Sequence, residues 1–304
     1  MTVNVFIDGA AGTTGLEIRE RLSARRDLDL ILLDENRRKD TNARAQALND
    51  GDVAILCLPD EAAREAVALI TGKTKVIDAS SAHRVASGWT YGFAELGFDV
   101  ANASRVTNPG CYPTGFLALI APLVRAGLIP ADWPLSVNAV SGFSGGGKAL
   151  IERFEADPSL AFRGYGFGLD HKHVPEMQVH AGLSLPPVFA PNVIRAFRGM
   201  VVEVPLPLNA LPARPSRTAL VDTLDAFFEH QPLVRVHDAM PDELLIAAAA
   251  PPTDRLDLYV ATDARETQAR LIATLDNLGK GAGGAAVQNL NLMAGLDPLA
   301  GLIL

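Results

Sequence analysis

Cysteine is scarce in this chain: only Cys57 and Cys111 occur in 304 residues. Two cysteines cannot build a disulfide framework, so any thiol chemistry falls to one of these two side chains. A reducing, cytoplasmic setting, where a free thiol keeps its reactivity, is the expectation. Long hydrophobic runs are missing too. The longest, residues 244–250, is far short of the roughly 20 residues that cross a bilayer, so no membrane partner is expected. The N-terminus opens on strand-like residues without a basic region or cleavage site, so no export signal is expected. Positive charge is in deficit, with 27 Lys and Arg against 35 Asp and Glu and a formal net charge of −8. Such a balance offers no stripe of cations for a nucleic-acid backbone. Small anions remain possible ligands, because a few local Arg and Lys suffice to hold them.

What is present is an ordinary globular mix, 48% hydrophobic and 20% charged, with length enough for two domains or one large one. Apolar runs at 3–7, 28–33, 53–58 and 76–77 read as buried parallel strands. Segments of helical spacing, notably 16–22 and 62–70, lie between them. This alternation predicts a doubly wound α/β sheet with helices on both faces. Past Asn108 the rhythm changes. A helix is expected over 112–126, a strand over 135–140, then the glycine-rich 141–148, and a longer strand over 193–206. Residues 256–262 and 268–274 flank a polar turn and read as an antiparallel hairpin. Ser216 is a good N-cap for a helix through Phe228, and 283–292 looks helical. No repeat or low-complexity linker interrupts the chain.

Gly9-Ala10-Ala11-Gly12-Thr13-Thr14-Gly15 follows the first strand and opens the first helix. Glycines there permit a tight turn and close approach of a pyrophosphate to the helix N-terminus. The spacing is G-x-x-G-x-x-G, with Ala10 where the usual fingerprint has glycine. Gly9, Gly12, Thr13, Thr14 and Gly15 are therefore candidate dinucleotide contacts. Asp34 ends the second strand, about where an acid binds the ribose of NAD. Arg37, Arg38 and Lys39 follow at once, placed to pair with a 2′-phosphate, which inclines the reading toward NADP.

Cys111 is the candidate nucleophile. Asn108-Pro109-Gly110 turns the chain from a short strand (105–107) into a helix, and Cys111 stands where that helix begins. A helix N-terminus favours a thiolate and lowers a cysteine pKa below its free value of about 8.5. Thiolate attacks carbonyl carbon, and the resulting thioester accepts hydride. Cys57, inside an apolar strand, reads instead as a small buried hydrophobe. Such chemistry also needs a proton carrier near neutrality, for which histidine is the natural choice. His171, His173 and His180 cluster with Glu176, but their spacing matches no standard zinc pattern, and no metal is expected.

Val106-Thr107-Asn108-Pro109-Gly110-Cys111-Tyr112-Pro113-Thr114-Gly115 resembles the active-site signature of the N-acetyl-γ-glutamyl-phosphate reductases. Ser141-Gly142-Phe143-Ser144-Gly145-Gly146-Gly147-Lys148, His171-Lys172-His173-Val174-Pro175-Glu176 and Ala286-Val287-Gln288-Asn289-Leu290-Asn291 resemble further segments of that family, in its shorter branch. Two positions depart from the pattern: Ala94 replaces a proline and His83 a phenylalanine. The resemblance implies a Rossmann-type parallel sheet over 1–110, with a C-terminal helix (283–304) returning to it. A second α+β domain over 111–282, semialdehyde-dehydrogenase-like, would serve substrate, catalysis and dimerisation. It implies reduction of N-acetyl-L-glutamyl 5-phosphate, a small acyl phosphate, with NADP(H) in arginine biosynthesis, by a homodimer or homotetramer. His173 maps onto the family's acid/base, with His171 as the other candidate. Ser80 and Asn289 join the expected cofactor contacts. Asn108, Ser141, Gly142, Lys148, Glu176 and Arg84 form the expected substrate set, with Arg105 a weaker candidate. Arg84 follows a parallel strand, and its planar fork suits an oxyanion. Residues 141–148 offer hydroxyls, N–H groups and one ammonium, an anion nest by composition. Three other readings compete: an aspartate-semialdehyde dehydrogenase, whose Arg-x-Pro-Val…Gly-His base segment is not found here, a reductase of carrier-bound aminoadipyl phosphate, and a dinucleotide-sensing module without a reactive thiol.

Overall fold

The computed structural model describes residues 2–304. They form two compact units, one of residues up to Pro109 together with Ala282–Ile303, the other of Gly110–Gly281. Among the described residues no helix is long and apolar enough to cross a membrane.

The first unit begins with β1 (Val3–Asp8), α1 (Thr13–Ser23), β2 (Leu28–Ile31), α2 (Thr41–Asp50) and β3 (Val53–Leu56). It continues with α3 (Asp60–Ala68), β4 (Lys75–Asp78), β5 (Thr90–Tyr91) and β6 (Arg105–Thr107). The six strands run in the order β2-β1-β3-β4-β6-β5, and every pairing is parallel. All four residues of β3 are buried, as a strand covered on both faces requires. Because β2 and β3 flank β1 on opposite sides, a crevice opens at the carboxyl ends of β1 and β3, where open α/β sheets bind ligands. The unexpected helix is α2: its sequence has little amphipathic pattern, but the Asp40 carboxylate accepts a hydrogen bond from Ala43 N at 2.7 Å and starts it.

The second unit opens with α4 (Cys111–Arg125), β7 (Ser136–Gly142), α5 (Gly147–Ala156), β8 (Phe162–Gly164) and α6 (Val174–Ala181). It closes with β9 (Val188–Ile194), β10 (Met200–Leu206), α7 (Arg217–Phe228), β11 (Val234–His237), β12 (Leu256–Thr262) and β13 (Ala269–Leu275). Its seven strands run β11-β12-β13-β10-β7-β9-β8, antiparallel except for β11 with β12 and β7 with β9. The hairpin of β12 and β13 pairs Leu256 with Leu275 and Thr262 with Ala269. Ser216 caps α7 by accepting from Ala219 N at 3.1 Å. Twelve residues of α4 are buried, so it serves as the core helix of this unit.

The single strand expected over 193–206 is two, β9 and β10, separated by a turn in which Gly199 takes φ +99°. The glycine-rich 141–148 ends β7, makes a short 3-10 turn (Phe143–Gly146) and enters α5. The chain then returns to the first unit as α8 (Gly284–Ala294), whose residues from Gly284 to Asn291 are all buried.

Candidate active site

Cys111 is the first residue of α4, partly exposed. Gly110 caps the helix with an extended backbone (φ −73°, ψ 149°) and no side-chain oxygen competes for the terminal N–H groups. The positive end of the helix therefore lies at the thiol. Behind the cysteine, a π-turn (Gly279–Gly283) is closed by Gly281 N donating to Asp276 O at 3.0 Å. A Cβ on Gly281 would stand 2.9 Å from the Cβ of Cys111, so only glycine lets this turn back the nucleophile so closely. Asp276 is held in turn by Arg198, whose Nη1 lies 2.9 Å from its Oδ2.

Glu176 links the histidine segment to the nucleophile. It is fully buried, accepts from Gly110 N at 3.1 Å through Oε2, and brings Oε1 to 3.9 Å from His173 Nε2. The sequence reading put Glu176 among the substrate contacts. Its two oxygens face the cap of α4 and the buried His173. His173 N donates to His171 Nδ1 at 3.1 Å, so that nitrogen of His171 is an acceptor. The His173 ring lies 4.7 Å from His171 and 5.8 Å from Tyr112. Burial pushes the Tyr112 hydroxyl well above its usual range, with the charges of Tyr165 and Cys111 adding to it. The same hydroxyl donates to Asn192 O at 2.9 Å.

The N–H groups of Gly142, Phe143 and Ser144 donate to the carbonyls of Gly199, Ala196 and Phe197, so these three are not left for a ligand. A Cβ on Gly142 would meet Phe197 O at 2.7 Å, which is why glycine stands there. Lys148 is 80% exposed beside Glu152, a solvated pair on a helix surface. Ser141 alone of this group stays close, buried beside the Tyr112 hydroxyl.

In the first unit the glycine turn has the form a pyrophosphate needs. Gly9 takes φ +86°, and a Cβ there would lie 2.3 Å from Cys57 O; one on Gly15 would lie 2.4 Å from Gly9 O. Both glycines are demanded by the protein's own packing. Gly12 is different. Its φ is −79°, and a Cβ would meet nothing closer than 3.5 Å. It caps α1 without a side-chain acceptor, ahead of Thr13 and Thr14, so the cradle a Cβ would fill at Gly12 fits a phosphate. Gly9→Ala is expected to lower the melting temperature. Gly12→Ala should leave melting within about 0.5 kcal/mol of the parent yet weaken NADPH binding about tenfold or more, read by fluorescence titration.

A cavity of about 580 Å³ opens beside this turn, lined by Gly9, Ala10, Arg38, Lys39 and Arg44 among others. Arg38, which also pairs with Glu35 at 2.7 Å, faces it as expected; Arg37 does not line it. Asp34 Oδ1 accepts from Asn36 N and Arg37 N at 3.0 and 2.9 Å, which ties this carboxylate into its own turn. Arg44 was missed because its helix was missed; it pairs with the buried Asp8 at 2.8 Å. Ser80 Oγ donates to Asp78 at 2.8 Å and accepts from Ala82 N at 3.1 Å, shaping the turn after β4. Asn108 and Asn289 meet each other: Asn289 Nδ2 donates to Asn108 Oδ1 at 3.0 Å and to Gly92 O at 3.1 Å. Arg84 is buried rather than solvated, whereas Arg105 is exposed with its guanidinium over Trp89. Burial, then the charges of Asp78 and Asp8, push the Cys57 thiol up to about 12.

Residues 4–104 match the semialdehyde dehydrogenase NAD binding domain, and residues 111–277 match the semialdehyde dehydrogenase dimerisation domain. An N-acetyl-gamma-glutamyl-phosphate reductase of Trichormus variabilis is 46% identical over 98% of both chains. A protein of Pseudomonas putida named N-acetyl-gamma-glutamyl-phosphate reductase 2 is 48% identical over 96% of both chains. The chain belongs to the N-acetyl-γ-glutamyl-phosphate reductases. It is thus an oxidoreductase of arginine biosynthesis on the semialdehyde dehydrogenase fold, with NADP(H) as its cofactor. The fold likeness extends to an aspartate semialdehyde dehydrogenase II from Vibrio cholerae, with TM-score 0.68, 18% identity and 97% and 98% of the two chains covered. A probable aspartate-semialdehyde dehydrogenase from Pseudomonas aeruginosa gives TM-score 0.71 at 17% identity, over 97% and 99% of the chains.

Proposed function

We propose that this reductase converts N-acetyl-L-glutamyl 5-phosphate to its 5-semialdehyde through a thioester on Cys111, with His173 as the acid and base. The observation that carries this reading is a partly exposed thiol at a helix N-terminus whose cap, Gly110, is joined through Glu176 to a buried histidine. The Cys111 thiolate attacks the acyl carbonyl, the carbon–oxygen bond to phosphate breaks, and phosphate leaves. Gly9, Gly12, Gly15, Thr13, Thr14 and Arg38 would hold NADPH, which when bound would supply the hydride that takes the thioester to the aldehyde level. His173 gives its proton to the developing oxyanion and takes it back as the carbon–sulfur bond breaks, releasing aldehyde and restoring the thiolate. Glu176 keeps the imidazole oriented and, by accepting from Gly110 N, keeps the nucleophile's helix in place. Arg84 and Ser141 are proposed substrate contacts.

Residues 1–110 with 283–304 would carry the dinucleotide, and 111–282 the substrate, the chemistry and the subunit interface of a homodimer or homotetramer. Two cysteines outside any disulfide accord with a cytoplasmic setting. The deciding assay runs the reaction backwards, oxidising N-acetylglutamate semialdehyde in phosphate. NADP should exceed NAD as acceptor, and aspartate semialdehyde should be a poor substrate. Equal or better turnover of aspartate semialdehyde overturns the assignment.

A further inference from the structure

The substrate proposed above carries a carboxylate as well as a phosphate, and the unit that holds Cys111 must discriminate it. Several cations of that unit are engaged or solvated. Arg198 is held by Asp276, Arg270 by Glu203, and Lys148 stands exposed beside Glu152. Arg163 differs. It sits on β8, whose register pairs Arg163 with Val193 and Gly164 with Asn192. Asn192 is the residue whose carbonyl receives the Tyr112 hydroxyl, next in sequence to the nucleophile. The Arg163 guanidinium lies 4.3 Å from the centre of the Tyr165 ring. Tyr165 in turn packs edge-on against His171 at 5.6 Å and shares a hydrogen bond with Tyr112. Among the described residues no carboxylate forms an ion pair with Arg163, which is half-buried.

We propose that Arg163, laid on the face of Tyr165, binds the substrate's carboxylate and sets the specificity of the Cys111 site. This rests on the function proposed above and adds to it the residue that reads the end of the substrate remote from the reacting carbon. The stacked guanidinium keeps its fork of N–H donors free at the edge, so a carboxylate can engage two of them. Stacking also removes side-chain freedom before binding, which raises the return on each hydrogen bond. A neutral polar group in place of that carboxylate would form no ion pair and no bidentate fork there.

The test compares two aldehydes in the reverse reaction: N-acetylglutamate semialdehyde and 4-acetamidobutanal, which lacks only the carboxylate. Arg163→Gln is expected to raise KM for the first about tenfold or more, with kcat within about threefold. On 4-acetamidobutanal, kcat/KM should stay within about twofold of the parent, and KM for inorganic phosphate should not move. Arg163→Lys should restore part of the loss. Lys172→Gln, removing an exposed cation between the two histidines, is the charge control and should behave as the parent. Equal loss on both aldehydes, a rise confined to phosphate, or no loss at all overturns the proposal. Turnover by the parent enzyme tests the function itself, so a failure of that reading and a failure of Arg163 give different results.

Discussion

Replacing Cys111 with serine is expected to abolish reduction, on the order of 10⁴-fold or more in kcat/KM, while NADPH binding stays unchanged. The hydroxyl is nearly the same size, so α4 keeps its start and Gly281 keeps its seat against residue 111. What disappears is the anion. A helix N-terminus that favours a thiolate does little for an alkoxide, whose ordinary pKa lies far above neutrality. A dinucleotide sensor would lose nothing by this change, so full cofactor affinity with no turnover separates the two readings. Alkylation offers an independent check. Cys57, pushed up to about 12, stays protonated below pH 9, so the rate measured against pH reports Cys111 alone. Retention of substantial activity by Cys111→Ser would remove the thioester from the mechanism.

His173→Asn is expected to lower kcat by about 10² to 10⁴, the usual range for a general acid and base, and to flatten the pH profile near neutrality. Asparagine leaves a polar group beside Glu176, limiting the cost of an unpartnered buried carboxylate to about 1–3 kcal/mol, visible as lower melting. Glu176→Gln should act less strongly and through His173: the amide still faces the imidazole but no longer stabilises its charged form. The double variant should therefore cost far less than the two single losses multiplied together, since both act on one proton. His171→Asn is the discriminating control. His171 accepts from His173 N through Nδ1, so its loss should disturb position more than chemistry. A larger fall for His171→Asn than for His173→Asn would reverse the roles assigned to the pair.

Much of the site was legible because its signals are local. Gly110 before Cys111 marks a helix start, and Gly9 before Gly12 marks a turn that a side chain would block. The hairpin of β12 and β13 was legible from alternation around a polar turn. The reading failed where composition stood in for geometry. A run of glycines and serines at 141–148 has the ingredients of an anion nest, yet the turn at Gly199 uses the N–H groups of Gly142, Phe143 and Ser144. Arg44 escaped because α2 has little periodicity and owes its start to one capping aspartate.

The sequence by itself determined the class of fold, through the alternation of strand and helix along its first hundred residues, and it singled out the candidate nucleophile and the candidate cofactor turn, each encoded within about ten consecutive residues. Only the tertiary structure decided that Glu176 reaches back 66 residues to Gly110, that Asn108 is held by Asn289, and that Arg163 stands on Tyr165. These contacts depend on strand register and helix packing, which a chain sets through its whole core and not through any local pattern.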